Sequence, residues 1–192
     1  MIPLVKADLF VDKVGSEEQR AKILEQILNA RRSDVNSMEN TNEGCWRSTA
    51  QYDDIDWLID GVTALCNKAI NHYKEIDPAF ANKLSSVNQL KNYYWTNVNE
   101  PGSHNDIHTH KGYPFTACYY VQGTDTGFIE FVNESNVLNE CNSISPFTTS
   151  YAFQPRDGEL FLFPGWIPHK VLTNTSKRDR INISFNIWFT NE

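Results

Sequence analysis

The spacing of apolar residues changes near residue 90, and this change predicts two structural parts. Before it, apolar positions recur every three or four residues, as on one face of a helix. Ser16 and Gln19 form a capping box, so we expect a helix to follow them, and then a polar loop over Ser33–Glu43. A second helix can begin at Asp53 or Asp54. Its apolar stripe consists of Trp57, Leu58, Val62, Leu65, Cys66, Ala69, Ile70 and Tyr73.

After residue 90 the chain becomes a series of short β-rich segments separated by Gly, Pro, Asn and Asp. Eight segments are predicted: Asn92–Val98, Asp106–His110, Thr116–Gln122, Phe128–Val132, Thr149–Phe153, Glu159–Phe163, Lys170–Leu172 and Arg180–Phe189. Eight short strands in about 100 residues are typical of a jelly roll or barrel. We therefore expect a mainly β protein with helices (α+β) and a single domain over residues 1–192. In it, about residues 1–90 form a helical support for a sheet core of about residues 91–192.

The last segment alternates with a period of two residues. Its apolar positions are Ile181, Ile183, Phe185, Ile187 and Phe189, and its other face carries Arg180, Asn182, Ser184, Asn186 and Trp188. Successive side chains of a strand point to opposite faces, so the apolar face is expected to pack against the helices. The polar face is directed either to water or into a ligand cavity, and the alternation alone leaves both possibilities open.

Composition and charge are those of an ordinary globular protein. Of the 192 residues, 40% are hydrophobic and 21% charged, which excludes disordered and low-complexity classes. The net charge of −7 is the wrong sign for neutralising many phosphates, so we expect neither duplex nucleic acid nor a membrane as a partner. The chain shows no signal-peptide pattern and no long apolar run, which predicts a cytoplasmic location, or the host cytoplasm for a phage-encoded chain. Four cysteines without a CxxC pair predict reduced structural thiols.

Three of the five histidines lie within seven residues. Positions i and i+2 of a strand point to the same face, so His108 and His110 can direct both imidazoles at one metal ion. A third ligand should come from another strand. His169, which follows a strand-like segment over residues 158–168, is the candidate. The three histidines therefore predict a metal site with ligands on one side of the ion.

The same segment contains a second pair of candidate ligands, His104 and Asp106. The His-x-Asp spacing is the usual first half of a 2-His-1-carboxylate site for non-haem Fe(II). The two pairs cannot both bind the metal in the same way, and a family pattern given below favours His108 and His110. His104 and Asp106, together with Asn182, then remain candidates for positions around the ligands or for alternative ligands.

Arg180, at the start of the last strand, is a candidate for binding an anion. The arginine side chain grips a carboxylate with two parallel hydrogen bonds, and a buried arginine without an anion is costly. Its place on the polar face of an alternating strand therefore predicts an anionic ligand. Arg178, two residues earlier, is expected at the surface.

The ordered motifs of the chain resemble those of a known family. They are Asn105-x-x-His108-x-His110, Thr116–Val121, Gly158-x4-Phe163-Pro164-x-Trp166-x-x-His169 and Asp179–Asn186, with Cys45-Trp46-Arg47-Ser48 in place of an upstream Gly-Trp-x-Ser. Together they resemble the 2-oxoglutarate/Fe(II)-dependent oxygenases of bacteria and phages that are related to prolyl hydroxylases. The resemblance covers most of the chain, and the order of the motifs carries it.

This resemblance implies a double-stranded β-helix, a jelly roll or cupin-like barrel, with N-terminal helices packed on one sheet. It also implies a dioxygenase that uses Fe(II), 2-oxoglutarate and O2, with ascorbate as a support, and that hydroxylates an unidentified prime substrate while releasing succinate and CO2. By position, His108, His110 and His169 match the metal ligands. Arg180 matches the arginine that binds the far carboxylate of 2-oxoglutarate, and Tyr120 matches a tyrosine that donates a hydrogen bond to it. A homodimer is a candidate assembly.

The chain departs from the wider superfamily at His110, where most of these enzymes have Asp in His-x-Asp. A neutral imidazole in place of a carboxylate leaves the metal site one charge more positive. Iron can still bind, but zinc is favoured more than usual.

Two alternatives share the barrel. The motifs of the cupins, metal-dependent enzymes, are matched by Gly102, His108 and His110 and by Gly158, Pro164 and His169. However, the Glu of the first cupin motif is missing, since Pro114 and Phe115 stand there, and cupins have no use for Arg180. The other alternative is a non-enzymatic jelly-roll binding protein that presents Trp95, Trp166 and Trp188.

Two long polar loops, Ser33–Ala50 and Asn133–Pro146, are expected to flank the cavity mouth. Nothing in them identifies the prime substrate.

Overall fold

The computed structural model describes residues 7–33, 42–77, 79, 82–83, 89–132 and 150–190. Within these ranges the elements are β1 (Phe10–Lys13), α1 (Glu17–Ser33), β2 (Asn42–Ser48), α2 (Asp56–Ile76), β3 (Gln89–His108), β4 (Phe115–Gln122), β5 (Ile129–Val132), β6 (Ser150–Phe153), β7 (Glu159–Pro164), β8 (His169–Val171) and β9 (Arg180–Thr190). No helix in these ranges is long and apolar enough to cross a membrane.

The long strand β3 joins two halves of an antiparallel sheet that curls on itself. Its first part, Gln89–Asn99, pairs with β9, and its last part pairs with β8, where His108 lies opposite His169. The strand order is β1-β7-β4-β9-β3-β8-β5-β6, and β2 pairs with β3 outside this path. Because one strand serves both halves, residues that are far apart in sequence face each other across the interior.

The helices cover the apolar face of the half that contains β9. Ile181, Ile183 and Phe185 belong to the same buried cluster as Ile27 of α1 and Leu58 of α2. Burying each such side chain contributes about 1.5–3 kcal/mol, which fixes the register of β9 and the position of the helices together. The predicted mainly β architecture with helices on one sheet face is thus confirmed.

The start of α1 also follows the prediction. The amide of Gln19 donates to Ser16 Oγ at 3.2 Å, and the amide of Ser16 donates to Gln19 Oε1 at 2.8 Å, which is a complete capping box. The cap of the second helix was predicted wrongly. The N-cap of α2 is Ile55, whose hydrocarbon side chain can make no cap hydrogen bond. Asp54 lies in the left-handed region (φ 55°), and its carboxylate pairs with Lys22 at 2.8 Å.

The strand predictions needed three corrections. Two strands, β1 and β2, lie in the part predicted as helical, and β2 replaces residues 42–48 of what was predicted as loop before Ala50. The segments predicted over residues 92–98 and 106–110 are joined in the single strand β3, because pairing with β2 continues past the Pro101-Gly102 step. This strand ends at His108, so His110 lies just beyond it. The predicted loop Asn133–Pro146 lies outside the described residues, as do residues 34–41 of the earlier loop. Cys45, Cys66 and Cys118 are buried free thiols, and Cys141 is also outside the described residues.

Candidate active site

The polar face of β9 lines a cavity and is not directed to bulk water. Arg180, Asn182, Ser184 and Asn186 all contribute to its wall, opposite residues of β3, β4 and β8. The cavity has a volume of about 600 Å³, which lies in the usual range for small-molecule sites. The structure thereby decides the question that the alternation of β9 left open.

The three predicted histidines converge in this cavity. His108 ends β3, His110 follows two residues later, and His169 begins β8 opposite His108. Their candidate ligand atoms all lie within 4.8 Å of one another, and His110 Nε2 is 3.3 Å from His169 Nε2. Two imidazoles bound to one metal ion at about 2.1 Å have their nitrogens roughly 3.0–3.4 Å apart, depending on the coordination angle. These two rings therefore already have the spacing of a chelating pair.

Backbone carbonyls orient two of the rings. His108 Nδ1 donates to the carbonyl of Asp106 at 2.7 Å, and His169 Nδ1 donates to the carbonyl of Ile167 at 2.9 Å. A carbonyl can only accept, so in each ring Nδ1 carries the proton and Nε2 keeps its lone pair for a metal ion. Each carbonyl belongs to the residue two positions before its histidine, so the local backbone itself sets the ligand orientation.

Burial keeps the three imidazoles neutral. It lowers the pKa of His110 to about 4 and the pKa of His169 to about 3, and the other histidines of the group add to both effects. Burial also lowers the pKa of His108. At neutral pH all three rings are therefore unprotonated, which is the form that binds a metal ion.

Arg180 is buried, and its own Nε and the neighbouring Tyr120 hydroxyl both lack a hydrogen-bond partner among the described residues. The residue is 1% exposed, and its Nη1 donates to Asn182 Oδ1 at 2.6 Å. Its guanidinium carbon lies 5.0 Å from the centre of the Tyr120 ring. Arg180 Nε and the Tyr120 hydroxyl have no hydrogen-bond partner among the described residues, and no described ion pair includes Arg180. A buried cation next to unsatisfied donors is the arrangement that an incoming anion would complete.

Of the other predicted candidates, His104 and Asp106 lie outside the cavity, and Asn182 is hydrogen-bonded to Arg180. His104 Nε2 is 3.5 Å from Asp106 Oδ1, but these side chains are 34% and 66% exposed and neither residue lines the cavity as described. Asn182 lines the cavity, accepts from Arg180 and donates to Ser184 Oγ at 2.9 Å. The structure thus brings His108, His110 and His169 together and leaves His104 and Asp106 at the surface.

The charged cavity residue Arg47 was not predicted as functional. Arg47 of β2 lines the cavity, and its guanidinium carbon lies 4.8 Å from the centre of the Trp95 ring. Trp95 in turn stacks on His110 at 5.8 Å. The sequence contained a signal for this, because Trp46 packs in the core and the next residue of a strand points to the opposite face.

Three solved structures with the same fold come from different organisms. The prolyl-4-hydroxylase of Pseudomonas putida aligns with a TM-score of 0.52 at 13% identity, over 96% of this chain and 92% of that chain. A prolyl hydroxylase of Trichoplax adhaerens, solved with a hypoxia-inducible-factor peptide, aligns at 0.57 and 15% identity, over 95% and 83%. HygX of Streptomyces hygroscopicus, solved with nickel, 2-oxoglutarate and hygromycin B, aligns at 0.56 and 13% identity, over 93% and 82%. At these identities the likeness shows the fold, and the predicted jelly roll is confirmed.

No curated protein matches the chain. The family described as "Putative 2OG-Fe(II) oxygenase" matches residues 93–186. This segment contains all of the cavity-lining residues except Arg47, so the match covers the cavity together with the strands that build it. The segment that builds the cavity therefore matches the 2-oxoglutarate/Fe(II)-dependent oxygenase family, whose members are enzymes that use Fe(II) and 2-oxoglutarate.

Proposed function

We propose that the protein is a hydroxylase of this family in which His108, His110 and His169 hold the Fe(II) ion. Arg180 and Tyr120 bind the far carboxylate of 2-oxoglutarate. The observation that carries the proposal is that three unprotonated, converging imidazoles share one cavity with a buried arginine whose Nε lacks an acceptor.

The histidine group fits a divalent transition metal. Imidazole nitrogen is a suitable ligand for iron, zinc and nickel, and three ligands on one side leave the other positions of the ion open. The rings of Phe163 and Phe131 lie 4.9 Å and 6.1 Å from His169, so the apolar side of the cavity shields this ligand from water. Because the group contains no carboxylate, the bound ion keeps both of its positive charges.

The Arg180 region fits a carboxylate. Arg180 Nε and the Tyr120 hydroxyl are donors without acceptors, and a carboxylate has the two oxygens that they lack. Asn182 holds the guanidinium from the other side through Nη1. Fe(II) with 2-oxoglutarate supplies the oxidation of a C–H bond by O2, with succinate and CO2 as products.

Neither the cupin-type enzyme nor the non-enzymatic binding protein accounts for the buried Arg180. A cupin-type enzyme needs the three histidines but gives no reason to bury Arg180 with an unsatisfied Nε. A non-enzymatic binding protein needs neither the convergent lone pairs nor the arginine. Arg180 is therefore the residue that separates the proposed function from both.

The proposal is tested by anaerobic titration of the protein with Fe(II) and then 2-oxoglutarate, followed by the visible charge-transfer band of the chelated complex. We expect the band in the wild type and in Arg178→Gln, whose side chain is about half exposed. His169→Ala should bind no iron. If iron binds and 2-oxoglutarate produces no band, the metal site belongs to another class of enzyme or to a binding protein.

We also propose a cytoplasmic location, a single domain and no duplex nucleic acid partner, with the homodimer as a candidate assembly. The net charge of −7 and the absence of a membrane-crossing helix among the described residues support the location and the exclusion of nucleic acid. The continuous pairing from β1 to β6 supports the single domain.

A further inference from the structure

We propose that an open cleft beside the mouth of the active-site cavity binds a flat aromatic ring of the prime substrate. The cleft has a volume of about 550 Å³. Its wall consists of Lys111, Gly112, Tyr113, Pro114, Trp188 and Phe189. The inference rests on the proposed function, because it takes the neighbouring cavity as the active site. It assigns the prime substrate to the small molecules that carry an aromatic ring.

The cleft and the active-site cavity meet at Tyr93. This residue lines the cavity, and its ring centre lies 5.8 Å from that of Tyr113 and 6.4 Å from that of Trp188, which both line the cleft. Tyr93 is 40% exposed, so its ring is accessible at this junction. A ligand that occupies the cleft and reaches toward the histidines therefore lies against Tyr93.

The aromatic residues of this rim are not part of the core. Tyr93, Tyr113 and Trp188 belong to neither of the two hydrophobic clusters that the described residues form. Trp188 also interrupts the polar pattern of its strand, because the same face of β9 carries Asn186 and Ser184 in the cavity wall. Three large rings that do not stabilise the core, placed at the mouth of a cavity, are typical of a ligand-binding surface.

The angles between the three rings favour a flat ligand. The planes of Tyr93 and Tyr113 are inclined by 67°, those of Tyr93 and Trp188 by 54°, and those of Tyr113 and Trp188 by 62°. No two of them are stacked on each other. An added aromatic ring can therefore stack on one of them and meet the edge of another, and both are favourable aromatic geometries. A saturated ring of the same size makes the apolar contact without this preference in orientation.

Hydrogen bonds fix the rim relative to the metal ligands. Asn186 Nδ2 donates to the Tyr93 hydroxyl at 2.8 Å, and the amide of Tyr113 donates to the carbonyl of His110 at 3.2 Å. Tyr113 lies only three residues after His110 in the chain. The rings are thus held in place before the ligand arrives, which reduces the entropic cost of binding.

The test compares aromatic and saturated probes on the anaerobic Fe(II) complex saturated with 2-oxoglutarate. The pairs are benzyl alcohol against cyclohexylmethanol and 2-naphthol against decahydro-2-naphthol, measured by calorimetric titration. Both members of a pair carry the same hydroxyl group, so a difference in affinity reports on the face of the ring. In the wild type we expect at least one aromatic member to bind about fivefold or more tightly than its saturated partner.

In Trp188→Leu this preference should fall below about twofold, whereas Trp188→Phe, which keeps an aromatic face, should retain most of it. Trp166→Leu is the matched control, because Trp166 is 52% exposed and lines neither the cavity nor the cleft. It should keep the whole preference. Metal content in elemental analysis should be the same in all three variants, which shows that the site has folded.

The inference is overturned if no aromatic probe is preferred in the wild type, or if Trp188→Leu keeps the preference. An equal loss in Trp188→Phe and Trp188→Leu would also overturn it, because the loss would then reflect altered packing and not a missing ring face. Failure of 2-oxoglutarate to bind the iron-loaded wild type in the preceding titration would instead overturn the proposed function.

Discussion

Replacing Arg180 should affect ligand binding much more than stability, because this buried arginine has no anionic partner among the described residues. Arg180→Gln removes the charge but leaves a donor that reaches toward Asn182. The variant loses the charge-assisted pair between Arg180 and the carboxylate of 2-oxoglutarate. It also loses the contact between the guanidinium and the Tyr120 ring. Breaking such a buried pair costs about 2–5 kcal/mol, so 2-oxoglutarate should bind about 30-fold or more weakly.

The stability of the ligand-free protein should change much less. Removing an uncompensated buried charge is favourable, whereas losing the contact with Tyr120 costs about 0.5–2 kcal/mol and losing the bond to Asn182 costs a similar amount. These contributions oppose one another. Arg180→Gln without 2-oxoglutarate is therefore expected to unfold within a few degrees of the wild type.

Thermal unfolding of the metal-loaded protein under anaerobic conditions measures both effects. At a 2-oxoglutarate concentration about 100 times the wild-type Kd, binding stabilises the folded state by about 2.7 kcal/mol. For a chain of this length that is an increase in Tm of about 5–10 °C. Arg180→Gln should lose most of the increase, and Arg178→Gln should keep it. An equal increase in the two variants would refute the assignment of Arg180 to the co-substrate.

Three further predictions concern the histidines. His108→Ala and His169→Ala should abolish metal binding in elemental analysis, whereas His104→Ala should retain most of it because its side chain points away from the cavity. The metal-free protein should lose stability as the pH falls from about 6.5 to about 4, measured as Tm against pH. In that window unfolded imidazoles bind protons, whereas the folded pKa values of about 4 for His110 and about 3 for His169 keep these rings neutral. The iron-loaded wild type should convert 2-oxoglutarate to succinate slowly without prime substrate when ascorbate and O2 are present, and His169→Ala, which serves as the blank, should not.

The features that the sequence predicted are those in which a local pattern is tied to a buried face. The alternation of β9 fixes its two faces because Ile183 and Phe185 pack against the helices, and a shift by one residue would bury the polar set instead. The capping box at Ser16 needs only four consecutive residues. The pair His108 and His110 was predicted from the two-residue period of a strand, and the two rings do converge although β3 ends at His108. In each case the information lies within a few residues of the chain.

The features that were missed depend on pairing between distant segments. The strand β1 is mostly exposed and β2 carries little alternation, so neither has a strong local pattern, and both exist because an edge of the sheet is available to them. The continuity of β3 through Pro101 and Gly102 contradicts the turn composition of that step. Arg47 reaches the cavity only through the pairing of β2 with β3, and no spacing within β2 specifies its distance to His110.

Pairing between distant segments also explains why the cavity is built on the strands β3 and β9. The part of β3 that pairs with β9 presents Trp95 and Asn97 to the cavity, and its far end presents His108 to β8. The backbone that determines the register therefore also determines the distance from the arginine sites to the metal ligands. A substitution that shifted β3 by one residue would turn Trp95 and His108 away from the cavity together. Metal binding and the aromatic wall formed by Trp95 should consequently be lost together by changes in the register of β3, whereas a change at His108 alone should remove only the metal.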